Sequence, residues 1–232
     1  MAISLKELQA ALTQVFGDKL TDNRLTCHEV TIEVMPNHLL DVAKQLRDLP
    51  QFQFTQLIDL CGVDYLEYGQ AEWQTESATT CGFDRAVARQ QKIQVKENHH
   101  PERFAVVIHL LSIELNIRLR VKIYIAESSM LIPSVNDIWN AASWFEREAF
   151  DLFGILFQGH PDLRRILTDY GFIGHPFRKD FPLSGHVEMR YDATLQRVVY
   201  EPVSIKPRTL VPRIVRDDNR YDDTSNDQRS QQ

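Results

Sequence analysis

The sequence predicts an α+β fold: two layers, a mixed or antiparallel sheet with helices on one face, then an extended carboxy-terminal arm. Three observations point there. Helix and strand periods alternate over the first 65 residues, two strongly apolar strands stand close enough to form a hairpin between residues 104 and 125, and one more amphipathic helix follows before periodicity fades.

Ser4-x-x-Glu7 reads as a capping box, and Leu5, Leu8, Leu12, Val15 and Phe16 follow at helical spacing up to Gly17. Val30, Ile32 and Val34 alternate with Thr31 and Glu33, the pattern of a half-buried strand. Pro36-Asn37 opens a second helix through Leu39, Leu40, Ala43 and Leu46, which Pro50 closes. Phe52 to Tyr65 reads as a strand broken at Gly62. Residues 67–102 turn polar and lose period, as an insertion between strands would, with room for a short element of its own.

Phe104–Leu111 and Ile117–Ile125 are the strongest strands, joined through 112–116. Alternation places Arg118, Arg120 and Lys122 together on one face of the second. Such a stripe is first of all the solvated face of an antiparallel sheet, and alternatively a positive surface for an acidic partner. Residues 137–153 have helical period, with Ser134 as N-cap, Asp137 at the third position and Gly154 as the stop. Arg147 and Asp151, four apart, can pair across that helix. Glu146 and Glu148 fall on opposite flanks of its apolar face, too divergent for a glycosidase-type acid/base pair. Each is read first as half-buried at a packing seam, where it needs an arginine or a backbone donor, and alternatively as a solvated helix carboxylate.

Composition narrows the function. Lys plus Arg is 26 against 32 Asp plus Glu, a net charge of −6, which argues against nucleic acid or an anionic membrane as direct partner. Apolar runs fall short of the roughly 20 residues of a spanning helix. No export or organelle address is visible, so a cytosolic chain is expected that meets a membrane only through partners. Cys27, Cys61 and Cys81 form no C-x-x-C pair and cannot supply an iron–sulfur cluster; the eight histidines contain no metal-binding spacing.

Residues 154–192 carry no clear period, yet hold five glycines, three prolines and many aromatics among charges. Aromatic and arginine-rich irregular segments are what large interfaces use, and the alternative for any one residue here is an irregular segment packed on its own domain. Tyr170, Phe172, His175, Phe177, Arg178, Lys179, Asp180 and Phe181, with Arg118 and Arg120 of the strand, are therefore candidate interface residues. Pro202, Pro207 and Pro212 then recur every five residues, which forbids a helix and suggests a strap lying on a neighbour. The expected divisions are an α+β domain at 1–153 with the insertion, an interface segment at 154–192 and a proline-spaced tail at 193–232.

The stretch EREAFDLFGILFQGHPDLRRIL (146–167), continuing TDYGFIGHPFRKDFPLSG (168–185), resembles the signature block of the C-subunit family of NADH-quinone oxidoreductase, respiratory complex I. Glu146, Arg147, Glu148, Asp151, Leu152, Phe153, His160, Arg164, Arg165, Ile166 and Leu167 carry it, and RFAVVIHLLS, RLRVKIYI and PSVNDIWNAASWFE extend it upstream. The resemblance implies a non-catalytic subunit of the peripheral arm, with no cofactor or metal of its own. NADH, FMN, the Fe-S clusters and quinone would belong to other subunits. It further implies packing against the quinone-site D-subunit, near the terminal-cluster B-subunit, in a complex that couples electron transfer to proton translocation. An unfused bacterial form on the cytoplasmic face of the inner membrane is expected. Two other readings stay open: the equivalent component of a membrane-bound hydrogenase, and a stand-alone hydrolase built on His160 with Asp162, Glu146 or Glu148.

Overall fold

The computed structural model describes residues 4–66, 68, 73–75, 87–89 and 102–205. Helix α1 (Leu5–Phe16) starts as its capping box requires: Ser4 Oγ accepts from the Glu7 amide at 3.3 Å, and the Glu7 carboxylate accepts from the Ser4 amide at 2.8 Å. Its Leu8, Leu12 and Phe16 are buried. Strand β1 (Leu20–Thr26) follows, a strand that periodicity does not disclose because none of its residues is fully buried. It turns through Cys27 and His28, at φ 51° and 60°, into β2 (Glu29–Val34). Two successive positive φ angles suit the right-handed twist of a tight hairpin.

Helix α2 (Leu39–Asp48) enters through a short turn at Pro36–His38 and buries Leu39, Val42, Ala43 and Leu46. The expected strand 52–65 is shorter, β3 (Gln56–Asp64), because Phe52 and Phe54 sink fully into the core from a turn. No break occurs at Gly62; the irregularity lies between Leu57 and Asp59 instead. Within the predicted insertion, β4 (Trp73–Thr75) and β5 (Val87–Arg89) pair antiparallel as a unit of their own. The rest of that insertion lies outside the described residues.

Strands β6 (Phe104–Ser112) and β7 (Ile117–Ile125) form the expected hairpin, in register from Phe104 opposite Ile125 to Ser112 opposite Ile117. The five-stranded sheet runs β1-β2-β7-β6-β3, and β2–β7 is its one parallel pair. Register aligns Ile32, Val121, Ile108 and Leu60 across the sheet on a single face, and α1 and α2 close the core over it. At roughly 1.5–3 kcal/mol for each fully buried aliphatic or aromatic side chain, this layer dominates the stability. The opposite face carries the predicted basic stripe. Arg118 is exposed, Lys122 is half-buried, and Arg120 is neutralised by Glu29 of β2 while donating to His109 Nε2 at 2.9 Å.

Strand β8 (Leu131–Pro133) precedes a turn segment, and helix α3 (Ala142–Phe153) starts five residues later than its period suggests. The reason is tertiary. Ser134 does not cap the helix; its hydroxyl donates to Glu146, and the Trp139 indole donates to the Phe54 carbonyl at 3.0 Å, so 134–141 stays in turns. Helix α3 packs against β3, the sheet's edge strand. Gly62 permits the approach: a Cβ there would stand 2.6 Å from Phe153 Cδ2. Strand β9 (Leu156–Gln158) returns to pair with β8.

Turns occupy 159–186, and β10 (Val187–Asp192) and β11 (Arg197–Pro202) close an antiparallel hairpin. The expected boundary between 192 and 193 thus falls inside a hairpin, and Arg197–Pro202 is a strand rather than the start of an extended tail. Residues 206–232, including the proposed strap prolines Pro207 and Pro212, lie outside the described residues. Among those described, no helix is long and apolar enough to cross a membrane.

Candidate functional site

The candidate site is the carboxy-terminal half of α3 with the irregular segment that folds back onto it. Asp151 is its hub. Fully buried, it accepts from the amides of Ile166, Leu167 and Thr168 at 3.0, 2.8 and 2.8 Å, from the Thr168 hydroxyl at 2.5 Å and from Arg165 Nη1 at 2.8 Å. Burial alone would raise this carboxyl, but the Thr168 and Leu167 donors and the Arg165 guanidinium hold it well below the usual carboxylate range. The expected Arg147–Asp151 pair does not form. Arg147 reaches past Asp151 to the carbonyls of Arg164 and Arg165, both at 3.1 Å. Helical spacing alone could not show that the loop, rather than the neighbouring turn, supplies the partner.

The end of α3 is capped by side chains that the sequence suggested for an interface. Gly154, at φ 80°, donates back to the Phe150 carbonyl at 2.9 Å. His175 Nδ1 donates to the Asp151 carbonyl at 2.9 Å, the Phe177 amide to that of Leu152 at 3.1 Å, and Arg178 Nε to that of Phe153 at 2.7 Å. The last four carbonyls of the helix are therefore satisfied, and a guanidinium sits at the negative end of its dipole. Burial lowers the His175 imidazole, as do the nearby guanidinium charges.

A second anchor was not anticipated. Asp64, at the end of β3, takes a bidentate pair from Arg103 at 3.0 Å on each oxygen, plus the Leu66 and Lys179 amides at 2.9 and 2.8 Å. Arg103 also meets Glu127 at 2.6 Å and Asp180 at 3.1 Å, and the Asp64 hydrogen bonds push its guanidinium further up. Burial works against ionised Asp64, but Arg103 and the two amides keep it below its ordinary value. The Phe104 ring has the Arg103 guanidinium at 4.6 Å and that of Arg178 at 5.3 Å. The only hint in the sequence is a lone arginine beside a strong strand.

At the other end of α3, Glu146 is fully buried. It accepts from Ser134 Oγ at 2.6 Å and the Val135 amide at 2.8 Å, with no cation partner among the described residues. Burial outweighs both hydrogen bonds and pushes its carboxyl up to about 7. Glu148 is half-buried, and the donor expected for it is not found among the described residues.

His160 is not arranged as a catalytic base. Its Nδ1 accepts the Asp162 amide at 3.0 Å, which leaves the proton on Nε2, 3.1 Å from the Ser143 carbonyl and 3.3 Å from the Ser143 hydroxyl. That tautomer cannot take a proton from Ser143. The Asp162 carboxylate turns to Arg164 at 2.9 Å instead. Among the described residues no group of three or more His, Cys, Asp or Glu side chains could hold a metal ion.

The predicted interface residues divide. Tyr170 is 96% and Phe177 56% exposed, and Lys179 and Asp180 are also exposed. Phe172 and Phe181 are half-buried against each other at 5.8 Å, with the Arg165 guanidinium 5.8 Å from the Phe172 ring. His175 and Arg178 are occupied by the helix cap, while Arg118 and Arg120 belong to the polar face of the sheet. Sequence reasoning missed Ile173 and Leu183, which are exposed by 81% and more.

Residues 32–187 match the family described as respiratory-chain NADH dehydrogenase, 30 Kd subunit. Proteins named as the C-subunit of NADH-quinone oxidoreductase are similar over most of the chain. That of Legionella pneumophila (strain Corby) is 58% identical over 94% of this chain and 93% of its own length. The Coxiella burnetii (strain Dugway 5J108-111) protein is 59% identical over 83% and 85%. The Hydrogenovibrio crunogenus protein is 53% identical over 94% and 98%. Among solved structures, a trypsin-resistant fragment (1-134) of Nqo5 aligns with TM-score 0.48 and 26% identity, over 67% of this chain and 98% of that one.

Proposed function

This chain belongs to the family of the respiratory-chain NADH dehydrogenase 30 kDa subunit, part of NADH-quinone oxidoreductase, and on that premise we propose that it is a structural, non-catalytic member of the assembly. It holds its neighbours, chiefly the quinone-site D-subunit with the terminal-cluster B-subunit close by, and brings no cofactor of its own. Electron transfer from NADH through FMN and Fe-S clusters to quinone, with the coupled proton translocation, would then run in other subunits, and the membrane would be met only through them.

One observation carries this reading: the 165–178 segment is fastened rigidly from beneath while its apolar tips stand in water. Asp151, Arg165 and the helix cap fix the backbone, and Tyr170 and Ile173 protrude with 96% and 81% of their surface free. Rigid aromatic anchors presented this way lose little entropy on binding, which is how interface hot spots work. The His160 tautomer weighs against the hydrolase alternative, and the family match favours NADH dehydrogenase over a hydrogenase.

Tyr170→Asp with Ile173→Asp tests it. Both side chains are exposed, so the isolated chain should melt as the parent does. Recovery of the quinone-site and terminal-cluster subunits with the tagged chain from solubilised membranes should fall at least about tenfold. NADH oxidation by an artificial acceptor should persist. Undiminished recovery would overturn the proposal.

A further inference from the structure

Hairpin β10–β11 is amphipathic, and its apolar face stands in solvent. Val187 stands opposite Pro202, Met189 opposite Tyr200 and Tyr191 opposite Val198, so these six residues share one face. That face is outward: Val187, Met189, Tyr191, Val198 and Tyr200 are 55, 58, 62, 54 and 67% exposed. The other face carries the charges. Arg190 and Arg197 are exposed there and Glu188, Asp192 and Glu201 are half-buried, Arg190 meets Glu201 at 2.8 Å, and Glu188 accepts from the Ser204 hydroxyl at 2.9 Å. A lone two-stranded ribbon is marginal in water, and this one leaves a whole apolar side wet.

We propose that this apolar face is a docking surface for a different subunit of the NADH-quinone oxidoreductase, an inference that rests on the subunit reading above. Area and charge choose the occupant. The face offers on the order of 500 Å² of largely apolar surface, at the upper end of what monomers expose and short of the roughly 800 Å² per side of a standard interface. Two copies meeting face to face would therefore bury too little for a stable dimer, and each brings a net charge of −6. A different subunit can cover more. The Val203 amide bonds the His186 carbonyl at 3.3 Å, and the His186 ring stands edge-on to Phe181 at 5.2 Å, which packs on Phe172. The ribbon is thereby tied to the segment that presents Tyr170 and Ile173, and one partner lying across both reaches a stable size. Its matching surface is apolar at the centre, with hydrogen-bond acceptors placed for the Tyr191 and Tyr200 hydroxyls.

Nitration with tetranitromethane tests this without a variant. In the isolated chain Tyr191 and Tyr200 should react readily; in the purified complex their rates should fall at least about tenfold, as burial under a partner requires. Equal rates in both would overturn the docking surface and leave the subunit reading standing. Absence of the chain from the purified complex would instead overturn the subunit reading. As a second arm, Met189→Asp with Tyr200→Asp should cut recovery of the complex at least about tenfold while Arg197→Ala, on the opposite face, leaves it unchanged. An isolated chain that dimerises, and loses its dimer on Tyr200→Asp, would assign the face to a second copy and overturn the proposal.

Discussion

The two ends of α3 each bury a carboxylate, and the protein treats them in opposite ways. Glu146 and Asp151 are both wholly inaccessible and lie five residues apart on one helix. Glu146 meets one hydroxyl and one amide, and burial carries its carboxyl up to about 7. Asp151 meets three amides, a hydroxyl and a guanidinium, and ends far below its usual range. Burial depth does not distinguish them. What decides is the number of donors converging on the oxygens and whether one of them is charged. The consequence is a division of labour: Asp151 is a permanent anchor for the loop that leads to the exposed aromatics, whereas Glu146 is a conditional tie between α3 and the 134–139 turn.

Asp151→Asn breaks the comparison most severely. An amide of nearly the same shape turns its NH₂ either towards the three loop amides or towards Arg165, and leaves that guanidinium without its counter-charge. Removing one partner of a buried pair costs about 3–5 kcal/mol, so a clear drop in denaturation midpoint is expected. A stability loss under about 1 kcal/mol would mean the loop is held elsewhere, through Asp64 and Arg103.

Acidity separates the two ends next. Glu146 binds its proton more tightly folded than unfolded, so its contribution is whole below the ordinary glutamate value of about 4.3 and is lost as pH rises to about 7, by roughly 3 kcal/mol at most. Asp151 has the reverse sign: its contribution is present above the ordinary aspartate value of about 3.9 and is lost as pH falls below it. From these two groups stability should accordingly peak near pH 4 and decline from there to about pH 7, and Glu146→Gln should flatten that decline while leaving the acid-side loss below about pH 4 in place. Urea unfolding at steps from pH 4 to 8 checks this; an unchanged slope in the variant would remove Glu146 as its source.

Much of this arrangement can be read from residue order, and the reasons differ for what cannot. The α1 capping box, the β6–β7 hairpin and Gly154 as the helix stop are set by local patterns, and all are found. β1 escapes detection because its hydrogen bonds to β2 hold it without a buried apolar side. The late start of α3 and the failed Arg147–Asp151 pair share another cause: Ser134, Trp139 and Arg165 each have a local role available and take a tertiary one. The Asp64–Arg103 anchor joins residues 39 apart and borrows an amide from Lys179, which no spacing rule could announce. Exposure was the least accessible property. Tyr170, His175 and Arg178 lie within nine residues and look alike in sequence, yet the first faces water and the other two close a helix.

The smallest effect bears on how the Asp151 end is closed. Gly154 occupies the left-handed region at φ 80°, where any other L-residue pays about 1 kcal/mol. A Cβ at that position would also stand 2.6 Å from Arg178 Nη2 and 2.7 Å from His175 Nε2. Gly154→Ala therefore strains the backbone and displaces the two side chains that satisfy the Asp151 and Phe153 carbonyls, for a total of about 1–3 kcal/mol. The loss should leave the Glu146-dependent pH slope intact, since that end of the helix keeps its partners. Should Gly154→Ala alter that slope as much as Glu146→Gln does, the two ends would be coupled through the helix rather than independent, and the division of labour between them would fail.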